Sequence, residues 1–124
     1  MPQTLNTPDR SRVLTHAVAE AARRLALKAS DLKEIIGTSQ PTVSRLMRDR
    51  YALPELGKTW ELGAHLVRLY RSLSSMVGGD DALARVWLGS ANRDFDNRAP
   101  LEIIKRVDGL IHVCEYLDAY RARV

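Results

Sequence analysis

The sequence predicts an all-α protein, with a helical bundle in its N-terminal half and a small second helical unit after it. Three observations carry that expectation. No segment alternates apolar and polar residues, and the β-branched residues are scattered, so strand signals are almost absent. Apolar residues recur instead at spacings of three and four in one segment after another. Between those segments fall the residues that start and stop helices: Ser, Thr, Asp and Pro at one end, Gly at the other.

Each element follows from the same signals. Thr7 and Pro8 read as an N-cap with proline at the first helical position, followed by Leu14, Val18, Ala21, Ala22 and Leu25 on one face. A second short helix covers Ala29 to Ile36 with Leu32, Ile35 and Ile36 inward, and Gly37 ends it by accepting a left-handed conformation. Ser39 caps a third helix with Pro41 in its first turn and Val43, Leu46 and Met47 buried. The stretch RYALPELGKT reads as a linker, and Thr59 opens a long fourth helix. Leu62, Leu66, Leu69, Leu73 and Met76 form its narrow seam, and Gly78–Gly79 ends it. Asp80 caps a fifth helix with Leu83, Val86 and Trp87 inward, closed by Gly89. SANRDFDNRA is an irregular loop, Pro100 opens a short helix with Leu101, Ile104 and Val107, and a last helix after Asp108–Gly109 turns Leu110, Val113, Cys114 and Leu117 inward.

Composition bounds the function. The chain has 124 residues, 45% of them hydrophobic, enough for one compact domain or two small units sharing a core. No apolar run approaches a membrane span, and the N-terminus lacks the apolar core of a secretory signal. A single cysteine, Cys114, cannot form an internal disulfide, so the expected location is a reducing cytoplasm. The net charge of +4 sits mostly in residues 1–57, with nine Lys/Arg against six Asp/Glu, and is densest at Arg45, Arg48 and Arg50.

Two short helices joined by Gly-Thr-Ser, the second polar on its outer side, are the layout of a DNA-reading helix-turn-helix. Gln40, Pro41, Thr42, Ser44, Arg45 and Arg48 are its outward residues. Gln pairs with adenine and Arg with guanine through two hydrogen bonds each, while Arg48, Arg50 and Lys28 suit phosphates. The segment LALKASDLKEIIGTSQPTVSRLMRDR resembles the helix-turn-helix of the phage-repressor, Xre or Cro, type. A solvated helical hairpin is the plainer alternative.

No catalytic or metal pattern emerges, and neither an enzyme, a cofactor nor a small-molecule substrate is expected. His16, His65 and His112 are isolated, without the His-Glu spacing of a zinc helix. Asn92, Asp94 and Asp96 alternate as calcium ligands do, but the loop has Asn97 and Ile103 where an EF-hand needs Gly and Glu. Cys114 falls on an apolar stripe, the place of a small core residue.

The second half has a signature of another kind. LARVWLGSANRDFDNRAPLEIIKRVDGLIHVCEYLDAYRARV resembles the toxin-binding domain of the Xre/MbcA/ParS antitoxin family through Trp87, Leu88, Asn92, Pro100, Leu101, Gly109, Val113 and Leu117. The likeness covers about Leu62 to Val124 and, with the helix-turn-helix, nearly the whole chain. It implies residues 1–57 as an Xre/Cro-like DNA-binding region and residues 58–124 as a helical toxin-binding domain. It further implies a type II antitoxin that neutralises a RES-domain, NAD+-degrading toxin with its C-terminal region, and that represses its own operon as a homodimer on operator DNA. Toxin contacts are then expected at Asn92, Arg93 and Arg98 in the loop and at Tyr116, Tyr120, Arg121, Arg123 and the Val124 carboxylate in the last helix. The alternatives are a stand-alone phage-type repressor whose second half only dimerises, and an interaction protein with a degenerate helix-turn-helix.

Overall fold

A computed structural model of the chain describes residues 9–123. Its helices are α1 (Arg10–Arg24), α2 (Ala29–Ile36), α3 (Gln40–Met47), α4 (Lys58–Met76), α5 (Asp81–Gly89), α6 (Pro100–Ile103) and α7 (Val107–Ala122), with a 3-10 turn at Arg93–Phe95. Among the described residues the only strand-like pairing is one isolated bridge, Asn92 to Arg98. None of the helices is long and apolar enough to cross a membrane.

The local signals act largely as expected. Gly37 ends α2 at φ 71° with its N–H on the Lys33 carbonyl. Asp80 accepts from Ala82 and Leu83 N–H groups at the start of α5. The first helix differs: Asp9, accepting from the Ser11 N–H, is its cap, and Thr7 and Pro8 lie outside the described residues. Gly57 rather than Thr59 precedes α4, and α7 begins at Val107, so Asp108 and Gly109 belong to its first turn.

α4 is the shared beam. It packs against α1 and α2 on the helix-turn-helix side and most extensively against α7 on the other. Leu66, Leu69 and Leu73 are fully buried along it, and one continuous core runs from Val18 through Ile36 and Leu46 to Leu117. Leu110, Val113, Cys114 and Leu117 all face that core. Burial raises the Cys114 thiol to about 11 and its S–H points at the His65 carbonyl, so it is an inert core group.

Three expectations are corrected. Leu83 and Val86 face outward on α5, at 52% and 62% exposure, and the helix buries Ala84 and Leu88 instead. Val107 is likewise exposed, at the head of α7. Trp87 is only half-buried, and its indole meets Phe95 edge-on at 6.1 Å and stacks near Tyr116 at 6.3 Å. Phe95 is the aromatic that fills the core there.

Residues 51–57 do not behave as a free linker. Leu53 is fully buried, its N–H donates to Thr15 Oγ1 at 2.9 Å, and its carbonyl accepts from Ser11 Oγ. Thr15 donates in turn to the Ser11 carbonyl, so two hydroxyls of α1 saturate the Leu53 backbone. Further ties join the halves. Lys105 reaches Asp31 at 3.2 Å, while the other Asp31 oxygen caps α2 through the Lys28 N–H. Arg24 pairs with Asp81, and Arg85 donates to the Arg24 carbonyl.

Candidate functional site

The recognition-like helix is fixed by its buried side. Val43 and Leu46 anchor α3, and Ser39 caps it by accepting from the Thr42 N–H at 3.3 Å. That register leaves Gln40, Pro41, Arg45 and Arg48 exposed, with Thr42 and Ser44 half-exposed between them. The exposed N-terminal end presents the Gln40 N–H and the positive end of the helix dipole, both favourable to phosphate.

Arg45 is partly held in place. Its guanidinium donates weakly to Thr42 Oγ1 at 3.4 Å and lies 5.9 Å from the Tyr51 ring centre. The C-terminal end of α3 is tied back to α1, where Arg23 donates to the Met47 carbonyl and His16 meets Asp49 at 2.7 Å. The His16 contact holds the Asp49 carboxyl below its ordinary range. Arg48 and Arg50 stay exposed beside this anchored corner, giving a cationic edge on a fixed backbone. Tyr51 had no periodic signal to mark it as a support for Arg45.

The residues expected to touch a toxin fall into two groups. Asn92 accepts from the Asp94 N–H and pairs across the loop with Arg98, which orders 92–98. Tyr116 donates to Asp94 at 2.6 Å, so α7 and this loop are joined, with Arg93 and Arg98 exposed on it. That bond, with burial, raises the Tyr116 hydroxyl above its ordinary value. A cleft of about 320 Å³ lies beside the loop, where Asp94, Arg98, Arg106, Asp108 and His112 mix both signs of charge.

The second group lies further along α7. Tyr120 is 44% exposed and Arg123 is exposed, while Val124 is outside the described residues. Arg121 is not idle, although the apolar stripe of α7 ends at Leu117. It donates to Ser72 Oγ at 3.1 Å, and Ser72 is fully buried on α4. Ser72 donates to Asp118, which also binds Arg68. Burial works against the Asp118 charge, but the Ser72 and Arg68 hydrogen bonds prevail and hold its carboxyl below the ordinary range.

This geometry defines a helix-turn-helix protein with a second helical unit fused through a shared helix. Comparison with family models sharpens that class. Residues 4–68 match the antitoxin Xre-like helix-turn-helix domain, and residues 72–123 match the antitoxin Xre/MbcA/ParS C-terminal toxin-binding domain. The chain therefore belongs to the Xre/MbcA/ParS antitoxin family. It is an antitoxin with a helix-turn-helix DNA-binding domain and a toxin-binding domain, from a family that is typically non-enzymatic. No curated protein matches the chain.

Proposed function

We propose that this antitoxin neutralises a RES-domain, NAD+-consuming toxin and, as a homodimer, represses the promoter it shares with that toxin. We divide the work at residues 57 and 58, with operator reading before and toxin blocking after. The observation that carries the reading is the pairing of an exposed, capped α3 with a toxin-binding unit on one chain. Gln40, Pro41, Thr42, Ser44, Arg45 and Arg48 are the residues proposed to face DNA. The proposed toxin contacts are Asn92, Arg93, Arg98 and Tyr116 around the loop, with Tyr120, Arg121, Arg123 and Val124 at the end of α7. An NAD+ site binds phosphates and a carboxamide, so its walls offer charged and hydrogen-bonding groups that arginines and a tyrosine can engage.

Co-expression with the cognate toxin is the test. The parent is expected to restore growth and preserve NAD+, and failure to do so would remove the assignment. Deleting Tyr120–Val124 is expected to abolish rescue. Because that deletion also removes the Arg121 bond to Ser72, the shorter deletion of Arg123 and Val124 separates toxin contact from fold. Full rescue by both truncations would move inhibition to the 92–98 loop.

Operator binding has its own signature. Arg45→Ala is expected to cost about 1–3 kcal/mol on the operator and much less on unrelated DNA, as for a bidentate base contact. Arg48→Ala is expected to weaken binding to every sequence and to lower the salt slope by about one. Gel shifts at several salt concentrations distinguish the two, and unchanged affinity in both variants would sink the DNA-reading role of α3.

A further inference from the structure

A groove on the surface is used by neither the DNA-reading helix nor the 92–98 loop. It runs between α1 and α4, with a volume of about 420 Å³ and a mainly apolar lining. Its floor is Leu14 and Ala17 from α1 with Ala64 and Val67 from α4. The two alanines make the depression, because a larger side chain at either position would occupy it. Val13 is 54% exposed at its lip, on a helix whose other exposed residues are charged or polar.

The rim of the groove is cationic. Arg68, Arg71 and Arg121 line it, and among the described residues no acidic one does. Arg68 is offset by Asp118, and Arg121 is turned toward Ser72. Arg71 is exposed and makes no ion pair among the described residues. A second, more open concavity of about 480 Å³ continues from Arg68, Asp118 and Arg121 to Ala122 at the end of α7, which lies within the toxin-binding domain.

We infer that this groove is a second docking surface for the toxin, and that it receives an amphipathic helix with a large apolar side chain at its centre and carboxylates along one edge. The inference rests on the toxin-neutralising reading above. A helix laid in a groove between two helices is a recurring recognition mode, anchored at three- and four-residue spacings. The floor answers the apolar face and the arginines answer the carboxylates. A second copy of this chain is a poorer fit, since a two-fold axis through the groove sets the arginine rim against its own image. Residues 1–8 contain no Asp or Glu to complement the arginines. Continuity with the end of α7 lets one toxin molecule span both surfaces.

The test titrates the cognate toxin, purified as an inactive variant, against the full-length antitoxin and against Val13→Glu, Arg71→Glu and Arg71→Ala. Calorimetry at low and moderate salt gives the affinities, and thermal melts establish that each variant is folded. Val13→Glu and Arg71→Glu are each expected to weaken toxin binding by roughly tenfold or more, Arg71→Ala by less, and both Arg71 variants to flatten the salt dependence. Folded variants that bind like a toxin-binding parent overturn the groove while leaving neutralisation intact. A parent that binds no toxin overturns the neutralisation reading and the groove with it. A dimer that becomes a monomer in Val13→Glu, with toxin affinity unchanged, assigns the groove to a second copy and also overturns the proposal.

Discussion

Gly109→Ala is expected to destabilise the C-terminal half by about 3 kcal/mol or more, the upper end for overpacking. A Cβ built on Gly109 stands 2.0 Å from the Ile103 carbonyl oxygen and 2.8 Å from its carbonyl carbon. The obstacle is backbone, so no rotamer change relieves it. That oxygen also accepts from the Arg106 N–H at the junction of α6 and α7, and moving it breaks the turn. Helix propensity runs the other way, since alanine is better than glycine inside a helix by about 1 kcal/mol. The clash outweighs that gain because α6 must leave its seat to relieve it. Thermal melts decide the matter: a variant that melts at or above the parent temperature shows that α6 does not press on α7 there.

Phe95→Ala is expected to cost about 3–5 kcal/mol, as for a buried aromatic reduced to alanine. Its ring is 4% exposed and is surrounded by Trp87, Tyr116 at 4.9 Å and His112 at 5.6 Å. Emptying that site removes the support under the 92–98 loop, and with it the platform that the Tyr116 bond to Asp94 holds. The melting temperature is expected to fall by roughly 10 °C or more, and toxin rescue is expected to suffer before operator binding does. Melts that coincide with the parent would place Phe95 outside the core.

Trp87 illustrates why this pairing was hard to read. Its neighbours Leu83 and Val86 are apolar and correctly spaced for a buried face, yet the helix turns Ala84 and Leu88 inward. Periodicity marks an apolar stripe without saying which neighbour covers it, and here two stripes compete on one short helix. Phe95 stands alone among Asp, Asn and Arg, so no period announces it. By contrast Gly37, Ser39, Asp80 and Pro100 act within their own turn, and their roles were legible from adjacent residues alone. The outward face of α3 was legible for the same reason: Val43 and Leu46 set its phase. The contacts of Arg121 with Ser72 and of Leu53 with Thr15 join residues far apart in the chain, and no local pattern carries such information.

The pinning of Leu53 has a mechanical consequence. A tethered cargo swings, and its bulk averages over many positions around the DNA. Here the connection between the two units has both backbone groups of its central residue clamped and its side chain sunk in the core. Under the proposed operator-reading role, a toxin carried by this protein travels at a constant bearing from the DNA, like a sidecar rather than a trailer. Steric fit between neighbouring cargoes then joins base recognition in deciding which operator spacings can be filled together.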